Sequence, residues 1–203
     1  MSNPENDLFE TKLKVARAQL GTATELYLRD RDPVSIQVLA CGAAEIIEKL
    51  ADISGKPPIS TYLLKTQPNL DLGKFYVARN YYWNAFKHLT NHKGQLRTDD
   101  IDTIQNFTDS DNDAILFTAW FDYMQATGRL PVSAQVFQLW FYALKPDKLD
   151  PHHASTPAIL EIFPSLNRAD RKEQKRRLNR TIERYRNKKE LISDPRTEPE
   201  RIG

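Results

Sequence analysis

The chain has 203 residues, enough for one domain or one domain with an appendage. Hydrophobic residues at 40%, with 9 Phe, 8 Tyr and 3 Trp, exclude a wholly disordered chain. A single cysteine excludes an internal disulfide framework, and a net charge of +2 describes neither a strongly acidic nor a strongly basic protein.

Residues 1–12 lack the basic and apolar segments of a signal peptide, so none is expected. The longest apolar stretch, Val136 to Leu144, is interrupted by Gln138 and is too short to span a bilayer. A cytoplasmic location and no membrane partner follow as expectations.

Scarce glycine (7 residues) and runs of good helix formers predict an all-α chain. A first helix is expected from Asp7 to Arg29. Asp32 then caps a second helix with Pro33 in its first turn, ending at Gly55. Cys41 lies in the apolar run Val38 to Ala44 of this helix, as a buried thiol. A short piece covers Ser60 to Lys65. Asp71 opens a third long helix that runs to Thr90.

Residues 97–113 read as an acidic connection. Within it, Asp109 to Asp113 starts like a calcium loop. Ala114 and Trp120 then stand where glycine and glutamate are needed, so these carboxylates are expected to cap a helix. A fourth helix spans Asn112 to Ala126 and stops at Gly128. A fifth, capped by Ser133, ends before Pro146. Their aromatic residues, Phe117, Trp120, Phe121, Tyr123, Phe137, Trp140, Phe141 and Tyr142, are expected to pack in the core. His152 and His153 sit in a Pro-rich loop as a surface pair. After a turn at Ile159 to Phe163, a last helix is expected from Leu166 to Ile192, with a frayed end from Asp194 to Gly203. An up-and-down bundle packs such elements naturally. The charge shift divides the chain into a bundle domain, 1–164, and a basic C-terminal helix with its tail, 165–203.

Two constellations carry chemistry. On the third helix, Leu72, Phe75, Tyr82, Phe86 and Leu89 fall on the core face of a 3.6-residue wheel. Asn80, Asn84 and His88 are four apart and stack along the opposite side, with Lys87 and Asn91 nearby and Tyr81 and Trp83 flanking. That stripe is either a wet helix face or a site.

The second constellation is the last helix. From Arg168 to Lys189 there are 11 Lys/Arg against 3 Asp/Glu, a net +8. Arg168, Lys172, Arg176, Arg180, Arg184 and Lys188 recur every four residues, while Leu178, Ile182 and Tyr185 form a narrow apolar seam. Such density attracts phosphate backbones without reading bases. The alternative is a solvated helix that balances the acidic body. Candidate nucleic-acid contacts are Arg171, Lys172, Lys175, Arg176, Arg177 and Arg180.

The Ala-rich segment Ala43 to Gly55, with its Glu and Lys before the break, resembles the second helix of HEPN domains. Arg79-Asn80 and Asn84-Ala85-Phe86-Lys87-His88 resemble the Arg-and-His region of the following helix in that family. The second segment is also similar to an Asn-x-Phe-Lys-His stretch of some uncharacterised bacterial proteins. The resemblance covers about residues 32–92. It implies a small helical bundle, usually a homodimer, that in its RNA-cutting members works without a metal or other cofactor. Carried over residue by residue, it implies His88 as acid/base, Asn84 orienting it, and Lys87 or a partner chain's Arg79 holding phosphate. Arg79 and His88 stand nine apart, about 180° round a straight helix, which departs from the family's spacing. A metal centre of Glu45, Glu48 and His88 lacks the second Glu-x-x-His pair that a bundle site needs. The competing class is a non-catalytic helical interaction module, so the sequence leaves open whether the protein is an enzyme.

Overall fold

A computed structural model describes residues 3–66, 69 and 71–198. The protein is all-α: among the described residues the only extended pairings are two isolated bridges, Thr90 with Leu96 and Leu130 with Thr197. No helix among these residues is long and apolar enough to cross a membrane.

The chain divides into two compact units, Met1–Thr127 and Gly128–Ile202. The 164/165 boundary expected from charge alone falls inside the second unit. The junction is set instead by Gly128, whose φ of +73° is open to glycine at little cost.

In the first unit, α1 (Pro4–Leu28) and α2 (Pro33–Ile53) form a helical hairpin. Asp32 caps α2 by accepting from the Ser35 amide at 2.8 Å, as its position before Pro33 predicts. Gly55, at φ +74°, stops it. There follow α3 (Ile59–Thr66), α4 (Leu72–Arg79), α5 (Tyr81–Lys87), α6 (Asp100–Gln105) and α7 (Asn112–Thr127). The helix α2 packs against both α1 and α7. Leu20, Tyr27, Ile36, Ile47, Leu116 and Trp120 fill the space between them at 0% exposure. Each such side chain contributes roughly 1.5–3 kcal/mol of burial. Two polar contacts fix the register of α1 on α7: the Trp120 indole donates to Thr24 Oγ1 at 2.9 Å, and the Tyr27 hydroxyl donates to Asp113 Oδ1 at 2.6 Å.

The second unit holds α8 (Val132–Ala143), α9 (Thr156–Ile162), α10 (Arg171–Tyr185) and α11 (Lys189–Ile192). Phe137, Trp140, Phe163, Leu166 and Leu178 form its core. Pro131, not Ser133, stands at the N-cap of α8, and Ser133 is buried. The expected helix 166–192 is three pieces, with a 3-10 turn at Leu166–Arg168 before α10 and α11 after it. Residues 194–198 are not frayed: Glu198 N–H donates to Leu130 O at 2.9 Å and Thr197 is buried. Residues 199–203 of the expected tail lie outside the described residues.

Candidate functional site

The expected continuous helix from Asp71 to Thr90 is broken at Asn80, which ends α4 and begins α5 with φ −95° and ψ +5°. Asn80 and the aromatic run Tyr81-Tyr82-Trp83 are all middling helix formers, so intrinsic preference does little to hold the helix across this point. Tertiary contacts decide the break. On one side Arg79 is drawn to Glu48. On the other, Tyr82 and Phe86 pack on Phe107, with ring centroids 4.6 and 4.9 Å away. The helix also ends early. His88 is extended, at φ −118° and ψ +119°, and the chain turns back so that Thr90 pairs with Leu96. Leu89, expected in the core, is 78% exposed. The Asn80–Asn84–His88 stripe therefore does not exist as one helix face.

The four candidate catalytic residues part company. Arg79 turns inward, its Nη1 2.7 Å from Glu48 Oε2, with both side chains less than a tenth exposed. Its guanidinium also lies 4.8 Å from the centre of the Tyr76 ring. Asn84 is half-buried on α5. Lys87 is exposed, its Nζ 3.6 Å above the Trp83 ring. His88 is exposed and close enough to Asp100 to favour its ionised form. The main partner of Asp100 is Arg97, which forks onto the carboxylate at 2.6 and 2.8 Å.

Glu48, which the sequence offers only as part of a metal centre with Glu45 and His88, is instead the partner of Arg79. Glu45 and His88 point to solvent while Glu48 faces inward, so no carboxylate–histidine centre forms from these three. The Glu48 carboxylate accepts from Ser60 Oγ at 3.0 Å and from the Tyr76 hydroxyl at 2.8 Å, besides Arg79. Burial pushes its pKa up. The hydrogen bonds from Arg79 and Tyr76 outweigh burial and hold it below the usual glutamate range. Asp122 lies within the electrostatic reach of this pair and is 0% exposed. Cys41 is buried as expected, and burial pushes its thiol up to about 12. His152 and His153 are exposed. Asp111 accepts from the Thr108 amide and hydroxyl in a capping box, which accounts for the calcium-like run.

On α10 the candidate contacts also sort by face. Asp170 caps the helix, accepting from the Glu173 amide at 2.8 Å. Lys175, Leu178, Thr181 and Ile182 are buried. Arg171 is half-buried, 5.5 Å from the centre of the Trp140 ring. Glu173 binds Arg176 at 2.5 Å and Arg177 at 2.8 Å, and these two hydrogen bonds pull its carboxyl down to about 2. Arg177 further donates to Pro164 O at 2.8 Å. The exposed cations are Lys172, Arg176, Arg180 and Arg184. Four residues advance a helix by about 6 Å, so these form a row along the side opposite the buried one. Lys175 falls on the docked side and does not belong to that row.

Comparison of the chain with protein-family models, curated proteins and solved structures gives no match.

Proposed function

We propose that this protein binds nucleic acid, RNA foremost, through its phosphate backbone, with the outward row of α10 as the contact face. The observation that carries this is the sorting of α10. One side is docked through Leu178 and Ile182, and the other presents Lys172, Arg176, Arg180 and Arg184 to solvent. A face of cations with no base-reading group recognises charge density and not sequence. The resemblance of residues 32–92 to HEPN domains points to the same class of partner, and a cytoplasmic setting belongs to the same proposal.

Cleavage is a second, narrower proposal, and the exposure of Lys87 and His88 at the end of α5 favours it. Arg79 is bound to Glu48 in its own chain. The cation next to His88 is therefore Lys87, and any second phosphate-holding group would come from another copy.

The test is fluorescence anisotropy with a labelled RNA of about 20 nucleotides between 50 and 200 mM salt. With Arg176 held by Glu173, about three phosphate contacts give a log–log slope near −2, so Kd rises roughly 20-fold across that range. Lys172→Ala with Arg180→Ala lowers the slope by about 1.4. Binding that is absent at 50 mM salt, or indifferent to salt, overturns the proposal. Loss of RNA integrity that His88→Ala abolishes, with chelator present throughout, supports cleavage.

A further inference from the structure

The helix α4 is held in a way no other helix of the first unit is. None of its eight residues is buried, whereas α2 and α7 each bury ten. Its hydrogen bonds to α2 meet at one point: the Tyr76 hydroxyl and the Arg79 guanidinium both donate to Glu48, at 2.8 and 2.7 Å. Both residues lie in the second half of α4, next to the break at Asn80.

Beneath α4 is a cavity of about 240 Å³. Phe75, Ala78 and Arg79 form its α4 side, facing Gln37 on α2 and Ile115 and Thr118 on α7. Behind Gln37 is Cys41, the sole cysteine of the chain, 1% exposed and accepting from the Gln37 amide at 3.4 Å.

We infer that α4 is a lid over this cavity, hinged at Asn80 and latched by Glu48 through Tyr76 and Arg79. The physical reason is a mismatch in what each state loses. Lifting α4 gives up less apolar burial than separating α2 from α7, because Val77 is 67% exposed and Leu72, Phe75 and Tyr76 are half-buried, none of them fully. It breaks a charge-assisted pair and a phenol–carboxylate hydrogen bond, but the freed groups become hydrated. Opening α4 is therefore far less costly than unfolding α2 and α7, and it belongs to the low-energy end of the molecule's motions. When the lid lifts, the apolar wall of Ala114 and Ile115 and the path to Cys41 open together.

Cys41 makes the motion measurable. Ellman's reagent reports access to the thiol under native conditions, and hydrogen exchange of residues 72–79 and of α7 reports opening and global unfolding. In the wild type, Cys41 reacts at least tenfold faster than global unfolding allows, with little dependence on low urea, and residues 72–79 exchange at least tenfold faster than α7. Glu48→Gln speeds Cys41 modification about tenfold and Tyr76→Phe about threefold. The milder variant keeps the comparison available if Glu48→Gln does not fold. Trp120→Phe, which weakens the core in open and closed states alike, speeds α7 exchange and leaves Cys41 unchanged. The lid is overturned if Cys41 modification has the urea dependence of global unfolding, or if it follows α7 in the Trp120→Phe variant.

Discussion

The Ile59 amide donates to Asp122 Oδ1 at 2.7 Å, while Asp122 Oδ2 is buried with no hydrogen-bond partner among the described residues. One backbone donor is poor support for a fully buried carboxylate. Burial accordingly pushes Asp122 from 3.8 up to about 7, with Glu48 adding to the rise and the Ile59 amide and Arg79 opposing it.

The sign of the pH dependence follows. The folded state holds this proton more tightly than the unfolded chain does, so the contribution of Asp122 is full below pH 4. It is lost as pH rises through 7. Asp122→Asn keeps an acceptor for the Ile59 amide and cannot ionise. It should gain on the wild type by about 1–3 kcal/mol at pH 8 relative to pH 5. Urea unfolding at the two pH values measures this, and parallel behaviour of the two proteins refutes it.

The contact between α1 and α7 gives a second expectation. Thr24 Oγ1 accepts from the Trp120 indole and donates to Leu20 O at 2.8 Å, all within the core. Thr24→Val keeps the shape and removes the acceptor, leaving a buried indole N–H unsatisfied. The cost should be about 1–3 kcal/mol. Thr24→Ser restores the hydroxyl and should recover most of it, apart from one methyl group. Equal losses in the two variants, by thermal or urea unfolding, would mean that packing and not the hydrogen bond sets the effect.

What was legible in the sequence was local. Asp32 before Pro33, Gly55 and Gly128 are signals of a few residues each, and each marks the helix end it predicts. The aromatic residues of α7 and α8 read as core because large rings have few other places to go, and Trp120, Phe137 and Trp140 are 0% exposed; Tyr142, expected with them, is 37% exposed, and Phe121 and Phe141 are only half-buried. The break at Asn80 was not legible, because it depends on Arg79 meeting Glu48 from 31 positions away. No helical wheel carries that information. The wheel for 71–90 assumed continuity, and so it placed Asn84 and His88 on one face and Arg79 on another for the wrong reason.

The start of α10 was legible and went unread. Asp170 followed three residues later by Glu173 is the signature of a helix N-terminus. The long basic run drew the boundary back to Leu166 instead. Asp170 accepts from the Glu173 amide at 2.8 Å, so Asp170→Ala should destabilise the second unit by about 1 kcal/mol. Asp170→Ser should restore most of that loss. A melting curve in which both substitutions are silent would show that the cap adds nothing beyond the docking of Leu178 and Ile182.

Glu173 has a second consequence, and it bears on binding. Its carboxylate engages Arg176 in two hydrogen bonds, at 2.5 and 2.8 Å, and Arg177 in one at 2.8 Å. A phosphate reaching Arg176 must compete with a carboxylate already in place. Glu173→Gln removes the competitor and one negative charge from the outward side of α10. Affinity for RNA should rise about three- to tenfold at 100 mM salt, and the log–log salt slope should steepen by about 0.7, as Arg176 becomes able to release a counterion. The cap is preserved, because it uses the Glu173 backbone and not its side chain. A variant with the same helicity, unchanged affinity and an unchanged slope would place the nucleic-acid contact away from this face.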